Sequence, residues 1–470
     1  MSRRPLVAAV CALAVGAAVL TGQVPARAAS SVTVNGSTTY QTITGFGVSE
    51  AFGQANAIRY LDATTQKQAL DMLFNTSTGA GFTIVRNLIP SDASHTMEPN
   101  APSSPSATPT YVWDGSNDAT DWGQLWLAKR AKTYGVTTFY NDAWSAPGFM
   151  KTNGNEANGG YLCGSPGESC SSGDWRQAYA NYLVQHAKNW ASVGITPSYL
   201  GFANEPSFTT GYSSMLVNSS QAADFVKVLG PTLKNSGLST KITCCDTLGW
   251  NLLPGYTSAI GADSTANSYL GLYTSHGYSN APTSTISTGG KPVWESEWST
   301  QNSWDTAWDD GTADSGFAWA SNIYTGLTAA NLNAFLYWWG ISNSQGGGTL
   351  VGLSGTALTA AKRYWSFVNY SRYIRPNATR IAATTGDSNL KVTAVKNTDG
   401  SVVLVVLNAS SSATSTSFSL ANTGITAGTV HPYLTNAGNN AAAQSTVSLF
   451  NGAFSASVPA RSLVTYRITA

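Results

Sequence analysis

Two glutamates end short apolar runs, Glu205 in Asn204-Glu205-Pro206 and Glu297 in Trp294-Glu295-Ser296-Glu297. Two carboxyl groups held about 5–5.5 Å apart can cleave a glycosidic bond with retention, one as acid/base and the other as nucleophile. The acid must hold a proton near neutral pH, which needs a raised pKa. The pair stands out because the 470 residues contain only seven Glu, the others being Glu50, Glu98, Glu156, Glu168 and Glu295. A lone Glu at a strand end is ordinarily a solvated surface residue, but the Asn-Glu-Pro setting favours chemistry. Asn204 brings an amide suited to a sugar 2-hydroxyl, a contact that strengthens in the transition state. With side chains alternating along a strand, Glu295 and Glu297 are expected on one side, Glu295 ~7 Å deeper. Glu297 is therefore the expected nucleophile, with Glu295 the alternative.

Positioning these groups requires strands that converge on one rim. Apolar β-type runs occur at Ile43–Val48, Phe82–Leu88, Thr137–Trp144, Ser198–Asn204, Lys241–Thr247, Ser268–Ser275, Pro292–Trp298 and Ala334–Trp338. Helical patterns intervene or follow near Thr65–Phe74, Trp122–Tyr134, Trp175–Val193, Ser220–Ser236, Pro254–Ile260, Ser315–Asn331 and Thr359–Tyr370. Eight strands alternating with helices predict an α/β fold, a closed (β/α)8 TIM barrel, whose active groups sit at the C-terminal strand ends. An open doubly wound sheet is the competing fold, but its Gly-rich dinucleotide fingerprint is missing.

Other residues fall at those same strand ends. Arg86 can bond the nucleophile carboxylate and hold it ionised, a role that overlaps with a buried structural ion pair. Trp144, Trp338 and Trp339 can wall sugar subsites or belong to the core. Tyr278 is placed to bond Glu297, and His276 and Glu50 are candidates to line the site.

The composition from about Arg372 onward changes to short strands separated by Gly, Asn, Asp and Ser, with Asn397-Thr398-Asp399-Gly400 as a turn. The expected organisation is a signal segment at 1–28, an N-terminal strand at 29–44 that joins a side β-sandwich, a barrel at 45–370 and the sandwich itself at 371–470. Arg3 and Arg4, the apolar stretch Val7–Leu20 and Ala26-Arg27-Ala28 read as a secretory signal with its cleavage site. The stretch is short for a membrane span, which needs about 20 apolar residues. The expectation is a secreted, extracellular protein without a membrane anchor.

Removal of Arg3, Arg4 and Arg27 leaves 22 basic against 24 acidic residues, a formal charge of about −2. That balance argues against nucleic acid as a partner. Trp and Tyr are abundant, with 15 and 21 copies, and rings in excess of the core's needs suit stacking on sugars. Cys163 and Cys170 bracket a Gly/Pro/Ser loop and are expected to form a disulfide after export. Adjacent Cys244 and Cys245 form either a vicinal bridge or two free buried thiols. No Cys/His spacing points to a metal, and no cofactor is expected.

Taken in order, Gly45-Phe46-Gly47, Leu200-Gly201-Phe202-Ala203-Asn204-Glu205-Pro206, His276-Gly277-Tyr278 and Trp294-Glu295-Ser296-Glu297 resemble glycoside hydrolase family 30, of the retaining (β/α)8 clan. The resemblance spans nearly the whole chain after the signal. It implies Glu205 as acid/base, Glu297 as nucleophile, and a side β-sandwich built from both chain ends. The stretch Gly45-Phe46-Gly47-Val48-Ser49-Glu50-Ala51-Phe52 is similar to the xylan-degrading subfamily 7, as are Cys163 and Cys170 and Thr243-Cys244-Cys245-Asp246. The implied activity is cleavage of β-1,4-xylosidic bonds, as an endo-xylanase or xylobiose-releasing enzyme acting as a monomer on a polysaccharide, xylan. The alternatives are the same mechanism on β-1,6-galactan or β-1,6-glucan, or a non-catalytic carbohydrate-binding protein. In one respect the chain departs from the pattern. Where relatives that need a glucuronic acid branch are expected to carry an Arg, the loop reads Ala51-Phe52-Gly53-Gln54-Ala55-Asn56. Gln54 cannot pair a carboxylate as an Arg fork does, which argues against glucuronic acid dependence and toward plain or arabinose-substituted xylan.

Overall fold

The computed structural model describes residues 30–115 and 121–470. The proposed signal segment lies outside the described residues. Strand β1 (Ser30–Ile43) is followed by eight strands that close a barrel: β2 (Gly45–Ser49), β3 (Ile84–Ile89), β4 (Thr138–Ala143), β5 (Tyr199–Gly201), β6 (Lys241–Thr247), β7 (Leu270–His276), β8 (Val293–Trp298) and β9 (Ala334–Ser342). Every neighbouring pair is parallel, and β9 pairs with both β8 and β2, which completes the ring. At the rim, β10 (Thr349–Ser354) extends from β9 and β11 (Ala357–Ala360) folds back on it.

Helices α1 (Gln54–Arg59), α2 (Ala63–Phe74), α3 (Gln124–Thr133), α4 (Arg176–Ser192), α5 (Ser219–Asn235), α6 (Leu253–Ala262), α7 (Ser264–Tyr269), α8 (Gly316–Thr328) and α9 (Lys362–Ser371) intervene or follow. The barrel is filled by side chains, not open: Ile84, Tyr140, Leu272, Trp294, Ala334 and Leu336 form an enclosed apolar cluster. Trp294 meets Tyr140 and Tyr199 edge-on there. A larger apolar layer between strands and helices continues into the second domain through Val403, Val405 and Leu407.

That domain is one antiparallel-rich sheet system of β12 (Ala378–Thr385), β13 (Leu390–Lys396), β14 (Val402–Asn408), β15 (Thr414–Ala421), β16 (Gly428–Thr435), β17 (Ala442–Ala443), β18 (Val447–Leu449), β19 (Ala453–Val458) and β20 (Ser462–Thr469). Strand β1 lies within it, antiparallel to β12 and parallel to β15. Its core stacks Phe418 on Phe454, with ring centroids 4.6 Å apart, and tilts Tyr466 against both.

Three differences from the sequence reading bear on the site. The run Ser198–Asn204 contributes only a three-residue strand, β5, so Asn204 and Glu205 lie beyond its ladder. Gly201 explains the tight fit there, because a Cβ would meet Asp142 Oδ1 at 2.1 Å and the Tyr140 hydroxyl at 2.8 Å. Secondly, the register of β8 shifts against both neighbours near its C-terminal end. Glu295 stays in register with Phe335, whose ring packs on Phe367 of α9 on the helix side. Ser296 reaches Asp246 inside the barrel, and the irregularity turns Glu297 to the mouth beside it. Glu295 and Glu297 therefore do not share a side; a bulge breaks the alternation that would have paired them. Thirdly, α1 and α7 occupy segments without a clear helical pattern, each only six residues long.

Candidate active site

The C-terminal strand ends surround a cleft of about 570 Å³. Asn204, Glu205, Tyr278 and Glu297 supply its polar floor, and Phe52, Trp144, Phe208, Tyr212, Trp338 and Trp339 its aromatic walls. One carboxylate oxygen of Glu205 lies within 4.8 Å of one from Glu297, with a His276 ring nitrogen equally close.

Glu297 is held at both oxygens. Arg86 Nη1 donates to Oε2, and the Tyr278 hydroxyl donates to Oε1 at 2.7 Å. Arg86 is fully buried and also reaches Asp142 at 2.8 Å, Asn204 Oδ1 at 2.6 Å and Asp246 at 3.3 Å. Its guanidinium lies 4.4 Å from the Trp144 ring, a cation–π contact that fixes that wall. Because Asn204 Oδ1 accepts from Arg86, its NH₂ group is left to donate elsewhere.

Glu205 adopts a left-handed backbone, φ 47°, a conformation that costs a non-glycine residue about 1–2 kcal/mol. Local bonds hold it: Glu205 N donates to Asp246 O, and Phe208 N donates to Glu205 O, both at 2.8 Å. His276 Nδ1 lies 3.0 Å from Glu205 Oε1, and Nε2 lies 3.3 Å from Asp246 Oδ1. Burial pulls the His276 imidazole down, but Glu297, Asp246 and Glu205 together outweigh it and lift its pKa to about 10. An imidazolium donates through both nitrogens, which matches two carboxylate partners. Glu205, His276 and Glu297 are close enough to surround a cation, but a ring occupied at both nitrogens has no lone pair for one.

Asp246 collects Arg86, His276, Ser296 Oγ at 2.7 Å, Thr274 Oγ1 at 2.8 Å and the Tyr140 hydroxyl. Burial opposes its charge, yet Arg86, His276 and these donors hold its pKa at about 2. Asp142 goes the other way: burial and the neighbouring Asp246 charge raise it well above the carboxylate range, against the pull of Arg86. Although Asp142 touches Arg86, we assign the proton of this pair to it, since its Oδ1 has no partner while Asp246 is saturated with donors. Burial likewise raises Glu295 well above the ordinary range, and its Oε1 accepts from Glu297 N.

The cleft's far wall is a loop between β5 and α5. Val217 N bonds Pro206 O, the Tyr256 hydroxyl bonds Val217 O, and Asn218 with Gln221 forms a capping box at α5. Buried Lys151 donates to Ser214 O at 2.6 Å and Glu156 O at 3.1 Å, tying this loop to the preceding one. Burial drives that ammonium down to about 7.

Of the residues singled out in the sequence, Glu205, Glu297, Asn204, Trp144, Tyr278, Trp338 and Trp339 meet in the cleft. Arg86 and His276 lie beneath it, fully buried, where they contact carboxylates and not the open space. Glu50 does not reach the cleft. It is 1% exposed, its Oε1 accepts from Ile341 N on β9, and burial raises its pKa strongly. Cys163 and Cys170 form a disulfide, and Cys244 is bridged to Cys245. Sequence reasoning missed Asp246, Asp142, Tyr140, Phe52, Phe208 and Tyr212. Asp142 and Asp246 lie inside apolar strand runs and gave no signal of their own, and the loop aromatics gave none either.

Residues 29–289 match the model of O-glycosyl hydrolase family 30, and residues 377–466 match the glycosyl hydrolase family 30 β-sandwich domain. The chain belongs to glycoside hydrolase family 30. Within that family, its structure is similar to the catalytic domain of GH30 xylanase C from Talaromyces cellulolyticus, at 46% identity and TM-score 0.88, covering 94% of this chain and 100% of that one. A curated relative, endo-1,6-beta-D-glucanase neg1 of Aspergillus fumigatus, is 28% identical over 44% of this chain and 44% of its own length. The glucuronoxylanase XynC of Bacillus subtilis is 28% identical over 38% of this chain and 40% of its own. These family 30 matches span less than half the length of the two curated relatives.

Proposed function

We propose that the protein is a retaining glycoside hydrolase that cleaves β-1,4-xylosidic bonds in xylan, with Glu297 as nucleophile and Glu205 as acid/base. The observation that carries this reading is the approach of Glu205 and Glu297 to within 4.8 Å between their nearest groups, at the floor of an aromatic cleft. In the first step a Glu297 oxygen attacks the anomeric carbon while Glu205 gives its proton to the departing glycosidic oxygen. Arg86 and Tyr278 aim the attacking carboxylate, and His276 Nδ1–H holds one Glu205 oxygen so that the other presents the proton. In the second step Glu205, now a carboxylate, takes a proton from water as its oxygen attacks the same carbon and Glu297 leaves. Asn204 NH₂ is positioned to donate to the sugar 2-hydroxyl. The mechanism needs no cofactor.

Xylan is favoured by the 46% identity to a protein named as a family 30 xylanase, and the subfamily 7 motif agrees with it. A second reading, β-1,6-glucan, is favoured by the Aspergillus relative's name. Reducing-sugar release from xylan, β-1,6-galactan and β-1,6-glucan separates them; release from glucan alone overturns the xylan reading, and release from none overturns the enzyme. For the nucleophile, azide should rescue Glu297→Gly with an inverted glycosyl azide, and rescue confined to Glu295→Gly defeats the assignment.

The reading includes export as a monomer, supported by the Arg3/Arg4, Val7–Leu20 and Ala26-Arg27-Ala28 pattern and by the Cys163–Cys170 bridge. The check is protein recovered from culture medium that begins after Ala28 and has the mass of one chain by light scattering. An uncleaved intracellular product counts against it.

A further inference from the structure

Among the described residues, the catalytic cleft has no Lys or Arg in its lining. Gln54, the first residue of α1 and the start of the segment where an acid-reading arginine was expected, is 7% exposed, with its Oε1 accepting from Asn343 N. An acidic sugar branch therefore meets no free cation there. A second cavity, of about 460 Å³, has the opposite character. It lies where the loop after α2, the exit of α9 and the sandwich meet, and Arg372, Arg375, Arg467, Tyr373 and Tyr433 line it.

Its three arginines are opposed by one carboxylate, Asp399, which contacts Arg467 at 3.2 Å. Backbone carbonyls set the other two in place. Arg372 Nε donates to Gly79 O at 2.7 Å, and Arg375 Nη1 donates to Gly81 O at 2.8 Å and Ser371 O at 2.9 Å. Tyr373 and Tyr433 stack with centroids 4.4 Å apart, an aromatic platform of the kind on which a sugar face can lie. The Tyr373 hydroxyl is buried, with the Arg372 guanidinium beside it as a donor and no acceptor for its own proton. Buried hydroxyls are ordinarily paired. Three guanidinium groups and the Tyr373 hydroxyl give the cavity more donors than acceptors, with Asp399 as its one carboxylate.

We propose that this junction is a binding site for a carboxylate-bearing sugar, a uronic acid branch of a polysaccharide, separate from the cleavage site. The carboxylate pairs with Arg467 and Arg372 and accepts from Tyr373, while the ring rests against Tyr433. A planar carboxylate matches the guanidinium fork, which gives the site preference over neutral sugars. The proposal does not depend on which bond the enzyme cuts.

The test is titration of the wild-type protein with D-glucuronate, xylose and sodium sulfate, followed by calorimetry or amide chemical shifts. Glucuronate should bind in the millimolar range and xylose should not. Arg467→Ala should weaken glucuronate by about tenfold or more, the loss of a charge-assisted pair. Tyr373→Phe removes only that hydroxyl, so it should weaken glucuronate while leaving Tm unchanged or higher; a purely structural role would lower Tm and spare binding. Glu297→Gln should bind glucuronate as wild type does. Absence of glucuronate binding, or binding insensitive to Arg467→Ala and Tyr373→Phe, overturns the site. Sulfate binding as tightly, with the same sensitivity to both variants, reduces it to an adventitious ion only and overturns sugar recognition. None of these readouts requires cleavage, so failure here is distinguishable from failure of the proposed activity.

Discussion

Along β15 of the sandwich, buried and exposed residues alternate without a break from Thr414 to Ala421. Around Glu297 that alternation fails, because Ser296 and Glu297 both reach the barrel mouth while Glu295 remains on the helix side. The sandwich core is apolar, with Phe418, Phe454 and Tyr466 in contact. The floor of the barrel mouth, by contrast, buries Arg86, His276, Asp142 and Asp246 within one connected network. One region removes apolar surface from water, which stabilises without regard to direction. The other buries charges that are tolerable only when each meets its partner in the right geometry. The contrast teaches that stability and chemistry are carried by different parts of this chain.

The contrast is sharpest if mutations separate activity from stability. The largest effect is expected from Glu297→Gln, which should lower kcat by about 10⁴-fold or more while Tm holds or rises. A fall of less than tenfold would move the nucleophile elsewhere. Phe418→Ala in the sandwich should cost about 3–5 kcal/mol of stability by denaturant titration. Measured on folded protein at low temperature, its kcat should stay near the wild-type value; a large loss would mean that the two regions are not separable. Tyr278→Phe removes one charge-assisted bond to Glu297 and should reduce kcat by about 10–100-fold with a smaller change in KM. An unchanged kcat would show that Arg86 alone aims the carboxylate.

A pH series probes the buried charges directly. The His276 pKa is raised in the folded protein to about 10, so its contribution is fully present below the unfolded value near 6.5 and is lost as pH rises through about 10. Asp246 is depressed to about 2, so its contribution is present above the unfolded carboxylate range and is lost as pH falls through about 2. Stability should therefore decline on the alkaline side, and His276→Gln should flatten that limb; an alkaline slope identical to wild type would remove His276 as its cause. The smallest effect is expected from Glu295→Gln, which retains an acceptor for Glu297 N and should leave kcat within about threefold. A collapse of activity there would return Glu295 to the chemistry.

Much of the fold was legible before the structure. Strand β6 has the boundaries read from its apolar run, and the barrel strands fall where such runs alternate with helices. Asn204, Glu205, Tyr278 and Glu297 were visible because each sits at or just past the end of an apolar strand-type run, and a parallel barrel gathers those ends on one rim. Glu50 has the same credentials and fails. Its side chain turns away to the β9 backbone, a choice between two faces of one short loop that local sequence does not encode. Asp142 and Asp246 stayed hidden for a related reason: a carboxylate inside an apolar run says nothing about which distant arginine will meet it.

What the sequence by itself determined is periodic or local: the strand and helix alternation, the sandwich pattern, the turn residues and the order of the motifs. Their physical basis is that burial of one face acts over a few residues and leaves a period in the chain. Only the tertiary structure decided the bulge that separates Glu295 from Glu297, the convergence of Arg86 on residues 56 to 211 positions away, and the cavity of arginines at the domain junction. Those features depend on register and on pairing between buried charges, and the energy of a buried charge is set by neighbours that folding brings to it.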